Sequence, residues 1–385
     1  MHRRACLATL AHLPLLMSSC AHLRAPATPR TRWTVAASEG LDLLCLLGPL
    51  SGDPFYAEWY PQELAQLAPR LDADTIATIQ SLKSDAAARH SLLGPYLCLL
   101  FSAGPTDTLA QLRDSLARAE QVLLPTYRAS PYWEADDWGW FIAARPALTR
   151  LFAALAAAEL PAFRGAVIGD RATRRETELR ARLASVDVIA EQERLLGRPL
   201  RPDIQIDLLH FSKPHGIKVQ GQRFLTHLDY SDETVIRNAA HEILHPPFDE
   251  SSPAIRDVLA VLAADPLLSR IVAEHDPSFG YTSLAGYLDE DTTEALEQLV
   301  NERLGVAVPA GQRWRRADGG MHVLAAGLYG LLRADGFDRT GGAIEAWLGA
   351  AARDGRLAPP SLHAAAAAVL ELPRADLWTP PTASP

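Results

Sequence analysis

The sequence predicts an α+β fold that is mostly helical, with a small β-sheet just before a helix that starts at Asp232 and ends directly after His245. Stretches with a helical spacing of apolar residues fill much of residues 33–198 and resume beyond residue 250, which indicates two helical regions. Between them, short segments rich in β-branched and aromatic residues alternate with Gly and Pro, as expected for short strands. The 385 residues can bury one large core or two smaller ones.

The composition is that of an ordinary globular protein, with 48% hydrophobic and 22% charged residues. The net charge is −9 and no sustained basic run follows the N-terminus, which argues against nucleic-acid binding and against a polybasic membrane surface. After the leader, no segment has the roughly 18 uninterrupted apolar residues that a membrane-spanning helix needs.

Residues 1–20 have the pattern of a targeting segment. Arg3 and Arg4 precede a short apolar run, and small residues stand directly before Cys20, which resembles a bacterial lipoprotein signal that ends in a lipidated Cys. A secretory signal cut nearby and a leader that is not exported are the alternatives. Residues 21–32 then have the composition of a tether. We therefore expect export to the bacterial cell envelope, with membrane contact only through a lipid on Cys20.

Two further cysteines, Cys45 and Cys98, each lie within an apolar run and are predicted to be buried. Free thiols are the simpler interpretation, but an oxidising compartment would also permit a disulfide between them. Because no two cysteines have the C-x-x-C spacing, a cysteine zinc site and a dithiol redox motif are excluded.

The first region, residues 33–198, carries helical patterns almost throughout. Residues 132–140 combine three Trp with three acidic residues, which indicates either aromatic packing, the favoured interpretation, or the rim of a carbohydrate- or peptide-binding site. The helices predicted in this region are 41–50, 61–68, 74–85, 106–124, 144–159 and 170–196.

The second region, residues 199–375, is predicted to hold the sheet, the central helix and a further helical layer. The three predicted strands are 204–211, 215–219 and 223–229. The last ten residues, 376–385, are predicted to be a frayed tail. The later helices are predicted at 252–264, 266–274, 289–304, 319–334, 341–353 and 360–372.

His241, Glu242 and His245 form an H-E-x-x-H motif in the helix predicted from Asp232, which Pro246 and Pro247 end directly after His245. Residues four apart lie on one face of a helix, so both imidazoles point the same way, at a spacing that suits a tetrahedral Zn²⁺. Glu242 can reach a water on the metal without being a ligand itself. An ordinary helix with solvated His and Glu side chains is the alternative, but the apolar neighbours make that polar stripe costly to bury.

A catalytic zinc site needs a third protein ligand, with water in the fourth position. The continuation H-x-x-G-x-x-H is absent, because Phe248 and Ser251 stand where Gly and the third His would. On the helix predicted at 289–304, the residues Glu290, Glu294 and Glu297 lie on or near one face and are the candidates. A solvated acidic helix face is the alternative interpretation of these residues.

In this arrangement the chain resembles the gluzincin metallopeptidases, the thermolysin-like group, in which a Glu from a second helix completes the zinc site. The resemblance covers about residues 204–304 and implies a zincin-like metal-binding region. It favours Glu294 as the ligand, because small and apolar residues surround it in T-T-E-A-L-E-Q. Gln298 departs from the family, which has a supporting Asp four residues after the ligand, although Glu290 or Glu297 could substitute, and either could itself replace Glu294.

The same resemblance implies that the strand at 223–229 is an edge strand that pairs with an extended peptide substrate. A donor to the developing oxyanion is also needed, and the candidates are Tyr281, Tyr287, His322 and Tyr329. The favoured pair is Tyr329 with His322, seven residues apart on one predicted helix. The three histidines of the strand region are predicted to be structural, namely His210, His215 and His227.

These observations favour a zinc-dependent metallopeptidase in which Glu242 activates a zinc-bound water for attack on a peptide or protein substrate. One alternative is a non-catalytic envelope protein whose zinc site is structural, closed by His215, His227 or His322, or absent. A second is a metal amidase acting on a cell-wall bond in a narrow cleft lined by tryptophans, namely Trp133, Trp138 or Trp140.

Overall fold

The computed structural model describes residues 28–89, 91–276, 279 and 281–380. The targeting segment predicted at 1–20 and residues 21–27 of the predicted tether lie outside the described residues. The fold is mostly helical with one small mixed sheet, which confirms the predicted α+β class.

The sheet has four strands in the order β1-β2-β4-β3, and its first three members are parallel. The two-residue β3 runs antiparallel to β4 and forms one edge. The strand that was predicted as an edge, β4, is therefore covered on both sides, because β3 folds back onto it. The strands are β1 Arg32–Ala37, β2 Asp203–Leu209, β3 Ile217–Lys218 and β4 Arg223–His227.

Most of the helices before the central strands form the first layer of the fold. The helices at residues 171–196 pack against the second layer. The helix predicted at 170–196 is two helices, because the Asp187 carboxylate accepts from the backbone N–H of Ala190 and starts a new helix there. The helices are α1 Glu39–Leu50, α2 Pro54–Ala57, α3 Pro61–Leu67, α4 Ala73–Ala87, α5 Leu93–Phe101, α6 Leu109–Ala117, α7 Ala119–Val122, α8 Leu124–Arg128, α9 Ala135–Ala157, α10 Leu160–Ile168, α11 Arg171–Leu183 and α12 Val188–Leu196.

The helices after the sheet form the second layer, which holds the predicted metal site. Most begin or end within a few residues of the predicted bounds, since Ser and Asp caps and prolines mark their first turns. These helices are α13 Asp232–Glu242, α14 Pro253–Ala263, α15 Pro266–Glu274, α16 Leu284–Leu304, α17 Ala310–Trp314, α18 Val323–Ala334, α19 Phe337–Thr340, α20 Ile344–Arg353 and α21 Pro359–Leu370.

The sheet lies between two hydrophobic cores. Ile206 and Phe224 face the core formed with the second layer, whereas Leu209 and Leu225 face the core formed with α1–α10. Helices on both faces explain why β2 is an almost continuous apolar run. Residues 179–196 pack in the same core as the metal-site helices, so the cores divide the chain differently from the ranges 33–198 and 199–375.

Strand β1 was not predicted: its residues fell at the end of the tether and in the helical region. It pairs in parallel with β2, and Arg32 lies opposite Asp203, to which its guanidinium also donates two hydrogen bonds. Because the partner strand is far away in the sequence, no local sequence pattern predicts this pairing. The chain is thereby anchored in the sheet from residue 32.

The aromatic stretch at 132–140 confirms the packing interpretation for its tryptophans, which contact Tyr127, Phe141 and Tyr96. Helix α9, which contains much of this stretch, is long and apolar enough to cross a membrane by length and composition, but core helices of soluble proteins pass the same test.

Two further expectations concern the cysteines and the C-terminus. Cys45 and Cys98 are buried free thiols, and their sulfur atoms lie 3.7 Å apart. Leu377 and Trp378 are buried in the core with the second layer, so the first part of the predicted frayed tail is packed.

Candidate metal centre

Helix α13 carries the first half of the H-E-x-x-H motif. The Ser231 hydroxyl accepts from the backbone N–H of Thr234 at 3.2 Å and caps the helix, and two acidic residues follow in the first turn. The helix ends at Glu242, earlier than predicted, because Pro246 and Pro247 cannot continue it and disfavour helical backbone before them. His245 therefore lies three residues beyond the end of the helix.

Helix α16 brings the acidic residues to the histidines. It is buried along most of its length, and the exposed fractions of Glu290, Glu294 and Glu297 are only 5%, 7% and 2%. The alternative of a solvated acidic face is therefore excluded for these three residues. Buried carboxylates need charged or hydrogen-bonding partners, and those partners define the site.

His241, His245 and Glu290 form a group that could hold a metal ion. The two Nε2 atoms lie 3.2 Å apart, and the Glu290 carboxylate oxygens lie 3.6 Å from Nε2 of His241 and 3.4 Å from Nε2 of His245. Donors bound tetrahedrally at about 2.0–2.1 Å would be about 3.3 Å apart. The group therefore fits one small divalent ion, and its nitrogen and oxygen donors are those that Zn²⁺ accepts.

Glu294, the favoured third ligand, occupies a different position. Its carboxylate accepts from the Arg313 guanidinium at 2.7 Å and from the Trp314 indole at 2.6 Å, and lies 3.7 Å from Nδ1 of His241. With His241 and Glu297 it forms a second group that could hold a metal ion, whereas Glu290 groups with both histidines. With Glu290 in that place, the acid four residues later is Glu294 itself, where the family has its supporting Asp.

Carboxylates also orient both imidazoles through Nδ1. Nδ1 of His241 lies 3.1 Å from Glu297 and Nδ1 of His245 lies 2.8 Å from Asp289. Since both Nδ1 atoms are engaged, both Nε2 atoms face the shared point near Glu290. Carboxylate support of this kind fixes the ring orientation and makes the ligand nitrogen more basic.

The negative charge of the neighbouring carboxylates also favours the protonated form of both histidines. Burial lowers the pKa of His241, but Glu290 and Glu297 more than offset this and raise it to about 10. Burial likewise lowers the pKa of His245, and Asp289 and Glu290 raise it to about 9. A divalent ion at this group must therefore displace a proton from each imidazole at neutral pH.

The other predicted catalytic residues lie away from this group. His322 is the N-cap residue of α18, not part of its interior, and both of its ring nitrogens bond to carboxylates, those of Asp291 and Asp318. The Tyr329 hydroxyl donates to Glu302 at 2.5 Å. Neither His322 nor Tyr329 lines the cavities described below.

No fourth protein ligand completes the group of His241, His245 and Glu290 within the described ranges. His215 pairs with the Tyr56 hydroxyl at 3.0 Å, and Nδ1 of His227 accepts from the backbone N–H of Asp229. The closed structural zinc site that would use these histidines is thus not formed, and the group stays open on one side.

Two cavities meet at the group and together form what we call the metal cleft; both are lined by Gly216, His241, Glu242 and Glu290. The larger cavity has a volume of about 770 Å³ and the smaller about 340 Å³. The larger is also lined by Pro131, Tyr132, Glu134, Lys218, His245, Pro246, Phe248, Asp249, Glu250, Tyr281 and Asp289. The smaller is also lined by Arg237, Asn238, Glu294, Glu297, Val308 and Arg313.

Some residues of the metal cleft were not singled out from the sequence. Tyr132 and Glu134 come from the aromatic stretch whose tryptophans pack elsewhere, and Lys218 lies on the edge strand β3. Gly216 lies against Glu242: a Cβ added there would be 3.3 Å from the Glu242 carboxylate. An H-E-x-x-H motif gives no signal for these positions, because they converge on it only through the fold.

Arg313 forms ion pairs with Glu294 and Glu297, next to the candidate metal group. Replacing Arg313 by Ala is expected to destabilise the fold by about 3–5 kcal/mol. Its guanidinium bonds to both Glu294 and Glu297, whose side chains are 10% and 3% exposed, so the variant leaves buried unpaired charge. Urea unfolding in the presence of a chelator measures this without a contribution from metal binding. Arg316→Ala, at an exposed neighbouring arginine, should change stability by less than about 0.5 kcal/mol; equal values for the two variants would contradict the assignment.

No family model, no curated protein and no solved structure matches this chain. The resemblance to the gluzincins therefore depends on the H-E-x-x-H motif and the buried acids of α16 alone. Those observations are consistent with a zincin-like site.

Proposed function

We propose that the chain is a zinc-dependent hydrolase that cleaves peptide bonds. The observation that carries the proposal is the group of His241, His245 and Glu290, open on one side and set in a cleft beside Glu242. Three protein donors with an open position are typical of catalytic zinc sites, whereas structural sites are closed by four.

Glu242 is the general base. It lines both cavities of the metal cleft, and no hydrogen bond or ion pair joins its carboxylate to another residue in the described part of the chain. Zinc bound in this position would lower the pKa of a bound water molecule and polarise the carbonyl of the substrate. Glu242 accepts the proton of the attacking water and returns it to the leaving amine.

Tyr281 is the donor to the oxyanion, in preference to Tyr329 and His322. It lines the larger cavity with His241 and Glu290. Burial, with the charge of Glu290 added, raises its pKa well above the usual range, so its hydroxyl stays protonated and can donate. Its backbone is in the left-handed region, with φ of 58°, a conformation that costs a non-glycine residue about 1–2 kcal/mol and is frequent at functional sites.

Strand β3 is the segment that can bind an extended substrate. It is the edge of the sheet beside the metal cleft, and both Gly216 and Lys218 line the larger cavity. A peptide that adds to this edge bonds through its backbone and can pass Glu242 in an extended conformation. Gly216 has no side chain to obstruct that path, which supports a peptide over a compact substrate.

The site of action proposed for this enzyme is the bacterial cell envelope. Support comes from residues 1–20, whose pattern resembles a lipoprotein signal with Cys20 as the lipidated residue. Metabolic labelling with a fatty acid, compared between the wild type and Cys20→Ser, tests this location.

The proposed reaction is tested by incubating the purified chain with a mixed peptide library and detecting new termini by mass spectrometry. Cleavage should require zinc, disappear after removal of the metal by a chelator, return when zinc is added, and be absent in His245→Ala. Cleavage that survives chelation would contradict a metal-dependent mechanism. Zinc binding without cleavage of any peptide would instead support a non-catalytic binding protein.

A further inference from the structure

The two cavities of the metal cleft differ in charge. Beyond the residues that they share, the larger cavity is lined by acids, including Glu134, Asp249 and Glu250, and among the described residues Lys218 is its one lysine or arginine. Beyond the shared residues, the smaller cavity is lined by two acids, Glu294 and Glu297, and by two arginines, Arg237 and Arg313. Arg313 forms ion pairs with both acids, so Arg237 is the positive side chain left for a substrate that lies across the metal group.

Arg237 is held in the wall of the smaller cavity by neutral partners. Its guanidinium donates to the Val306 carbonyl at 3.1 Å and to the Thr234 hydroxyl at 3.0 Å. No ion pair joins it to an acid in the described ranges. Arg237 precedes His241 by one helical turn, so its charge lies on the same side of α13 as the metal group.

Arg313, the other arginine of the smaller cavity, is already paired with acids. Its Nη2 bonds to Glu294 and Glu297, but its Nη1 is buried and lacks a hydrogen-bond acceptor among the described residues. Because Nη1 has almost no accessible surface, a ligand in the cavity does not contact it, and Arg237 is the arginine that can bind an anion there. Asn238, the residue after Arg237 on α13, also lines this cavity.

The small volume limits what the ligand can be. At about 340 Å³ the cavity is at the lower end of the roughly 300–1,000 Å³ typical of small-molecule sites, and it is less than half the size of its neighbour. Val308 gives it an apolar patch beside the arginines. A short peptide end with one carboxylate fits this combination of size, charge and apolar surface.

We infer that the substrates are peptides with a free C-terminal carboxylate, bound by Arg237 in the smaller cavity, so that cleavage occurs near the C-terminus. This inference rests on the proposed hydrolase function and gives its substrate class. The extended remainder of the peptide lies along β3 and through the larger cavity, which has room for several residues.

The test compares two N-acetylated peptide libraries of the same sequences, one with free C-terminal acids and one with C-terminal amides. The zinc-loaded wild type should cleave the acids with kcat/KM about 100-fold or more above that for the amides, as expected for loss of a charge pair in a desolvated site. In Arg237→Gln this ratio should fall towards one. Arg316→Gln, at an exposed arginine outside the metal cleft, should keep the wild-type ratio.

A binding measurement makes the test independent of turnover. Calorimetry with zinc-loaded Glu242→Gln should show an N-acetylated tripeptide acid binding at least tenfold more tightly than its amide, and Arg237→Gln in the same background should remove the difference. Equal cleavage of acids and amides by the wild type would overturn the inference and leave the hydrolase intact. If no peptide is cleaved, the hydrolase fails, and equal binding of acid and amide then overturns the carboxylate site as well.

Discussion

Replacing Glu242 by Gln is expected to lower kcat/KM for peptide hydrolysis by about 10²–10⁴-fold while the chain still binds one zinc ion. Gln keeps the size and shape of the side chain but cannot accept the proton of the attacking water. Glu242 is not a member of the group formed by His241, His245 and Glu290, so the affinity for the ion should not depend on it. Activity and metal content are measured on the same preparations.

Glu250→Gln is the matched control for this prediction. Glu250 lines the larger cavity and carries the same charge, but it is exposed and lies on the loop after the motif. This control should reduce kcat/KM by no more than about threefold, as a change in surface charge near a cleft. Equal loss of activity in both variants would indicate that negative charge in the cleft matters, and would remove the assignment of Glu242 as general base.

The helices that carry the site could be predicted from the sequence because their signals are local. The apolar stripe of α13 predicted a helix there, and the acids of α16 predicted which later helix would face it. The two prolines after His245 predicted that the helix ends directly after that residue. Helix α13 ends three residues earlier, at Glu242, because helical backbone is also disfavoured before a proline.

The choice among the acids of α16 could not be made from the sequence. Glu290, Glu294 and Glu297 are separated by four and three residues, so they share one face and differ only in height along the helix. Which of them meets both histidines depends on where α16 crosses α13, and that is set by core packing. Arg313 and Trp314, which bond to Glu294, come from α17 and lie about 20 residues further along the chain.

The sheet, too, could be predicted only in part from the sequence. The three strands near the motif have β-rich segments bounded by Gly and Pro, whereas β1 pairs with a strand that is distant in the sequence. The identity of the edge strand also depends on pairing: β3 has only two residues, yet it covers β4 and presents Lys218 to the metal cleft. Such long-range pairings decide which residues surround a site, and local patterns do not report them.

The central claim is that His241, His245 and Glu290 hold one divalent ion, and the most direct measurement is metal content after dialysis against zinc. Glu290→Gln and Glu294→Gln make a matched pair, because they are the same substitution one turn apart on α16. The wild type and Glu294→Gln should retain about one zinc per chain, whereas Glu290→Gln should bind zinc at least 100-fold more weakly, having lost a direct ligand. Retention by Glu290→Gln with loss in Glu294→Gln would assign the ligand to Glu294, and a wild type that takes up no zinc would contradict the metal centre.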